Sequence, residues 1–168
     1  MEVNRGMATL LRALGYELYT VGGRVAQGEG KFTPFAHMMI ILTLDRLQYL
    51  VDVGFGGSGL TSPLPIFNEK IIETPIKGAI PEEHRVTLAV IPNASLKDHK
   101  VWHFQHRKRP EEDWQTLYIF EKDFEFFEAD YEVYVCLRFF SRQDEYGHLH
   151  GPGVAFCQCA RMCERTLR

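Results

Sequence analysis

No cysteine occurs before Cys136 in this chain of 168 residues. No disulfide can therefore staple the first 135 residues. The four cysteines, Cys136, Cys157, Cys159 and Cys163, all sit toward the C-terminal end, and a reduced, cytoplasmic chain is the expectation. No apolar run reaches the roughly 18 residues that a membrane-spanning helix needs. No basic-then-apolar signal segment opens the chain either, and no membrane association is expected. Strong charge of one sign is lacking too: 19 Lys and Arg stand against 22 Asp and Glu, for a net charge of −3. That balance argues against nucleic acid as a partner. Internal repeats and low-complexity linkers are also missing. What remains, 45% apolar and 24% charged residues, is ordinary globular composition, enough for one domain or one domain plus part of another.

The pattern along the chain begins with Val3, Met7, Leu10, Leu11 and Leu14 at helical spacing, with Gly15 placed to end the helix. Residues 16–26 read as a strand, interrupted by Gly22-Gly23, where a bulge or a close backbone approach is expected. After a loop over 28–34, strands are expected over 36–43 and 47–53, joined by a tight turn around Leu44-Asp45-Arg46. Residues 54–65 read as loop. Further strands are expected over 84–91, 101–107 and 114–121, and a short helix followed by a strand over 124–140. The sum is α+β: a helix feeding an antiparallel, barrel-like set of strands.

Two ionisable groups stand in the apolar strands of the first hairpin, His37 and Asp52. A four-residue turn would set them directly opposite, with Cβ atoms roughly 5 Å apart. A two-residue turn would pair position 37 with 54 and leave Asp52 one diagonal step away. Either geometry makes them hydrogen-bond partners. A carboxylate on one imidazole nitrogen fixes the tautomer and raises the basicity of the ring. The other nitrogen is then able to take a proton from a nucleophile. A buried structural pair is the competing reading. Gly54, Gly56, Gly57 and Gly59 follow directly and permit close backbone approach to a ligand.

These residues resemble the arylamine N-acetyltransferase family. The resemblance is carried by His37, Asp52, VDVGFGG (51–57) and SPLPI (62–66), with EVNRGMATLLRALGY (2–16) before them and HRV (84–86), WHFQ (102–105) and WQTLYIF (114–120) after. It implies the cysteine-proteinase-like acyltransferase fold: a remnant of a helical first domain over 1–26, an antiparallel β-barrel over 27–121, and an incomplete α/β lid with a divergent tail over 122–168. It further implies acetyl transfer from acetyl-CoA to an arylamine or arylhydrazine by a Cys-His-Asp mechanism. His37 would be the base, Asp52 its orienter, and Phe55 part of the acceptor pocket. The backbone of Gly54, Gly56 and Gly57 would lie near the acyl group and coenzyme A, and Thr33, Pro34 and Phe35 would border the acyl pocket.

In that family the cysteine belongs to an Arg-Gly-Gly-x-Cys motif that runs into a helix resembling residues 2–11. Aligned on Glu2, Val3 and Asn4, its place falls one residue before Met1. The expectation is thus a chain that starts just past its nucleophile and, as it stands, transfers no acetyl group. The alternative is a catalytically inactive derivative that binds coenzyme A or another small molecule. Cys136 reads as a small buried hydrophobe. The spacing of Cys157, Cys159 and Cys163 matches no common structural zinc site, and no metal is expected. Trp102, Phe104, Trp114 and Tyr118 read as core or barrel wall. His84, His99 and His103 have no evident partner and read as surface residues.

Overall fold

Met7, Ala8 and Leu11 fall on one face of a helix, α1 (Glu2–Ala13), and turn that face toward strands of the first hairpin. The helix stops where expected. The N–H of Gly15 donates to the carbonyl of Arg12 (3.0 Å) and that of Tyr16 to the carbonyl of Leu11 (3.1 Å), the two bonds of a Schellman cap. In the computed structural model the described residues are 2–28, 30–67, 71–74 and 82–131. The chain divides into two compact units, 1–127 and 128–168. Of the second, the described residues include one helical turn, 128–131. The strand expected within 124–140 lies outside the described residues, as do all four cysteines.

Among the described residues eight strands follow α1: β1 (Glu17–Val25), β2 (His37–Leu44), β3 (Leu47–Val51), β4 (Leu64–Pro65), β5 (Ile71–Thr74), β6 (Glu82–Val90), β7 (Lys100–Arg107) and β8 (Gln115–Phe120). They form one sheet in the order β4-β3-β2-β1-β8-β7-β6-β5, antiparallel at every pairing. Leu50 and Leu64, near one end of that order, share a core with Val86, near the other end. Val21, Met39, Phe104, Tyr118 and Phe120 belong to the same core. Residues so far apart in strand order meet only if the sheet curls on itself, which is the barrel-like form expected. Each such side chain contributes about 1.5–3 kcal/mol relative to exposure.

The β2 segment HMMIIL is buried throughout, because both of its faces are covered. Met39 and Ile41 point into the barrel, whereas Ile40 and Leu42 pack beneath Met7, Ala8 and Leu11 of α1. A strand covered on both sides has no polar face to show, hence the unbroken apolar run. The Gly22-Gly23 interruption marks a close approach and not a bulge. The β1–β2 register runs unbroken through Gly22↔Met38 and Gly23↔His37. A Cβ at Gly22 would stand 2.6 Å from the Phe126 ring. Phe126 is held there by its N–H, which donates to the Thr20 carbonyl at 2.8 Å. Strands β4 and β5 lie where the sequence pattern indicated loop or gave only weak signals. β4 pairs with β3 through only two residues, Tyr49↔Pro65 and Leu50↔Leu64, too few to leave a periodicity.

Candidate active site

The β2–β3 turn has two residues. Leu44 pairs with Leu47, and Asp45 and Arg46 between them both have positive φ, 49° and 65°, the type I′ geometry whose twist suits a hairpin. The register then runs through Ile41↔Leu50 and Ile40↔Val51. Continued, it sets Asp52 one diagonal step from His37, the second of the two arrangements that the sequence left open. Both side chains lie on the barrel-facing side of their strands, in line with Met39 and Leu50. His37 Nε2 meets Asp52 Oδ2 at 2.6 Å, and Asp52 is only 2% exposed.

A carboxylate in such burial is stable as an anion only if its oxygens are satisfied. Here both are. Oδ2 takes the His37 bond, and Oδ1 accepts from Asn4 Nδ2 (2.8 Å) and from the Gly54 N–H (3.1 Å). Burial pushes the Asp52 pKa up, but the His37 bond and charge, then Asn4 and Gly54, outweigh it and hold the pKa below its ordinary value. An ionised carboxylate accepts only, so the imidazole proton is on Nε2. Nδ1 is left with a lone pair, and no described side chain or backbone group takes it up.

Asn4 is the residue the pattern of α1 undersold. It sits in line with Ala8 and Leu11 on the apolar face of the helix and is fully buried. A polar residue on that stripe was the available signal. Its Nδ2 also donates to the Met38 carbonyl (2.6 Å), and its Oδ1 accepts from the Val53 N–H (2.8 Å). The helix is therefore pinned to the end of β3 through the side chain that clamps the carboxylate.

Rings enclose the imidazole. Phe55 meets it edge-on, with centroids 5.3 Å apart and an interplanar angle of 81°, and Tyr118 lies at 5.3 Å from both His37 and Phe55. The Tyr118 hydroxyl is buried and has no hydrogen-bond partner among the described residues. Burial, with the nearby Asp52 charge, pushes its pKa well above the ordinary value.

Of the other expected site residues, Gly54 spends its N–H on Asp52, while Gly56 (φ 104°) and Gly57 are exposed with open space where a Cβ would stand. Gly56 needs that left-handed conformation, which side chains resist. Thr33 is engaged by β1: its Oγ1 accepts from the Val25 N–H at 2.9 Å, and its carbonyl accepts from Arg24 at 3.3 Å. Phe35 lies under the Arg24 guanidinium (4.0 Å) and against Phe126 (5.0 Å), and Pro34 is exposed beside it. A cavity of about 260 Å³ opens on the helix side of Asp52, between Met7 and Leu11 on one wall and Leu60 and Pro63 on the other.

The surface reading of His84 and His103 is corrected: they are 1% and 5% exposed, because the curled sheet covers His84 and pairs His103 in mid-strand. His99 is exposed, but it pairs with Glu121 at 2.8 Å. Phe104 and Tyr118 are core, as expected, and Trp114 carries Arg85 and Arg107 on its ring at 4.2 and 4.6 Å. Among the described residues no group of three or more His, Cys, Asp or Glu is arranged to hold a metal. No described helix is long and apolar enough to cross a membrane.

The N-acetyltransferase family model matches residues 1–134. An arylamine N-acetyltransferase / N-hydroxyarylamine O-acetyltransferase from Salmonella typhimurium is 28% identical over 121 residues, covering 71% of this chain and 37% of that protein. An N-malonyltransferase from Gibberella moniliformis is 30% identical over 154 residues, covering 79% and 42%. The solved structure of Mycobacterium marinum arylamine N-acetyltransferase in complex with CoA is similar with a TM-score of 0.60 at 26% identity, covering 77% of this chain and 44% of that one. The chain thus spans about two fifths of the length of the relatives it matches.

Proposed function

The chain belongs to the N-acetyltransferase family, and on that premise we propose that it carries the base and orienter of a thiol-dependent acetyl transfer from acetyl-CoA to an arylamine or arylhydrazine. The observation that carries this reading is the one-sided imidazole: Nε2 bonded to a satisfied carboxylate at 2.6 Å, Nδ1 unclaimed. In the proposed cycle Nδ1 takes the proton of a cysteine thiol. The thiolate attacks the acetyl carbonyl of acetyl-CoA, the coenzyme leaves as its thiol after taking a proton back from His37, and the acetyl group rests on sulfur. The amine nitrogen then attacks that thioester, loses a proton to His37, and the cysteine departs.

Three features support the assignment of roles. Asp52 stays ionised and fixes the tautomer, so the imidazolium formed in each half-reaction has a counter-charge ready. Phe55 and Tyr118 shield the ring and strengthen that electrostatic contact. The N-terminal turn of α1, which reaches the pair through Asn4, is the place for the thiol. A helix N-terminus and an imidazolium both lower a thiol pKa, and one helical turn spans about 5.4 Å. No cysteine is among the described residues. Thr33, Pro34, Phe35, Phe55 and the backbone at Gly56 and Gly57 are proposed to line the acyl and acceptor path.

Transfer of acetyl from acetyl-CoA to an aromatic amine is the test, on four proteins: the 168-residue chain, its His37→Ala variant, the same chain with one cysteine added before Met1, and that extended chain with His37→Ala. The unmodified chain should show no transfer above its own His37→Ala control. The extended chain should become acetylated on sulfur and turn over, and His37→Ala should reduce this by about 10²–10⁴-fold. Transfer that ignores His37 would remove the reading. A folded extended chain that binds coenzyme A yet never acetylates would favour the inactive, ligand-binding alternative.

A further inference from the structure

The segment Gly54–Gly59 holds four glycines and one large side chain, Phe55, which packs against the core, so backbone contacts at its two ends help decide where it lies. At its start, the Gly54 N–H is held by Asp52 and the Val53 N–H by Asn4. At its far end, His84 Nε2 donates to the Ser58 carbonyl at 3.0 Å. Strand β6, which carries His84, is not a neighbour of β3 in the sheet. The bond therefore crosses the barrel from one end of the strand order to the other.

His84 is itself held firmly. It is 1% exposed and stacks on Phe104, with centroids 5.4 Å apart and planes 4° from parallel. Phe104 packs on Tyr118 at 4.7 Å, and Tyr118 touches both His37 and Phe55. The same layer of rings thus supports the pinning histidine and the imidazole of the site. Among the described residues Glu82 of β6 faces His84, as does His106 of β7, whose ring lies 6.3 Å away. Burial pushes the His84 pKa below its ordinary value, and a neutral ring protonated on Nε2 is the form that donates to a carbonyl.

We propose that His84 is a positioning residue: by holding the Ser58 carbonyl it fixes the Gly54–Gly59 loop so that Phe55 lies edge-on against His37. The functional meaning rests on His37 being the base, but the positioning itself needs neither thiol nor acyl donor.

The experiment is hydrogen exchange and histidine-ring NMR on the purified chain, comparing wild type, His84→Phe and His84→Gln. Phenylalanine keeps the stack on Phe104 and has no donor, whereas glutamine restores an N–H. The reporters are the Gly59 amide, which donates to the Gly56 carbonyl at 2.8 Å, the β1 amides as a core control, and the His37 ring signals. In His84→Phe, Gly59 exchange should quicken roughly tenfold with β1 unchanged, and the His37 signals should move as Phe55 shifts. His84→Gln should recover part of both. Loosening confined to the loop in His84→Phe supports the assignment. A folded His84→Phe with wild-type loop exchange and His37 signals overturns it. So does equal acceleration in loop and β1 in both variants, which would make His84 a packing residue alone. If His37→Ala proves indifferent to acetyl transfer, the functional reading falls while these loop readouts still decide the role of His84.

Discussion

His37 and His106 are both buried, each near a carboxylate oxygen shut off from solvent, and the two neighbourhoods are built differently. At one end His37 meets Asp52 at 2.6 Å, and two further contacts, from Asn4 Nδ2 and the Gly54 N–H, hold that carboxylate. At the other, His106 Nδ1 and Glu82 Oε2 stand 3.6 Å apart, and neither atom has a hydrogen-bond partner among the described residues. Proximity and burial are common to both. What differs is a pair of donors aimed at the carboxylate, Asn4 Nδ2 from α1 and the Gly54 N–H from the loop after β3. A carboxylate so held keeps its charge and directs an imidazole, whereas one without such donors is only a buried polar group.

The largest expected effect comes from erasing that difference. Asp52→Ala strips partners from His37 Nε2, Asn4 Nδ2 and the Gly54 N–H at once, and should cost on the order of 3–5 kcal/mol in urea unfolding. Glu82→Gln, at the unorganised end, should cost less than about 1 kcal/mol. Equal losses would mean that Asn4 and Gly54 add nothing to the site.

Acidification should separate the two neighbourhoods by pH. Burial holds the pKa of His84, and that of His103, below 6.5. The unfolded chain therefore takes up those protons first, and stability should begin to fall as the pH drops below about 6.5. The Asp52 pKa lies below 3.8 in the folded chain. Its contribution is complete above that value and drains away only as the pH falls through the folded pKa. Unfolding midpoints measured from pH 7 to pH 3 should show two stages, with His84→Phe reducing the upper stage and sparing the lower. A single decline confined to the region below pH 4 would contradict this.

The smallest effect is expected at Tyr118→Phe. The hydroxyl it removes is buried and unpartnered, so stability should change by less than about 1 kcal/mol in either direction. A loss above about 2 kcal/mol would reveal a hydrogen bond to Asp52.

The His37–Asp52 end was open to reading from the sequence because a hairpin couples local pattern to register. Apolar runs give the strands, and the only ambiguity, the turn length, was resolved by positive φ at Asp45 and Arg46. The family resemblance supplied the roles proposed for them. The His84 end was closed to such reading. Whether a histidine in HRVTLAVI is exposed depends on what the curled sheet brings above it, and that is Ser58, from a loop on the other side of the strand order. Asn4 lay between these cases: its helix was plain, but its partner at the end of β3 belongs to tertiary structure. The two-residue pairing of β4 left no trace of period two.

The type I′ turn has a consequence for which sequence changes this hairpin can absorb. Neither Asp45 nor Arg46 touches the site, so their identities are loosely constrained. Their number is not. Side chains alternate across a strand, and a shift of one residue sends each to the opposite face. A chain that gained or lost a residue between Leu44 and Leu47, and slipped its register to match, would offer Val51 or Val53 to His37 and turn Asp52 toward α1. The spacing of the two ionisable groups is therefore guarded against insertions and deletions more strictly than the turn is guarded against substitution.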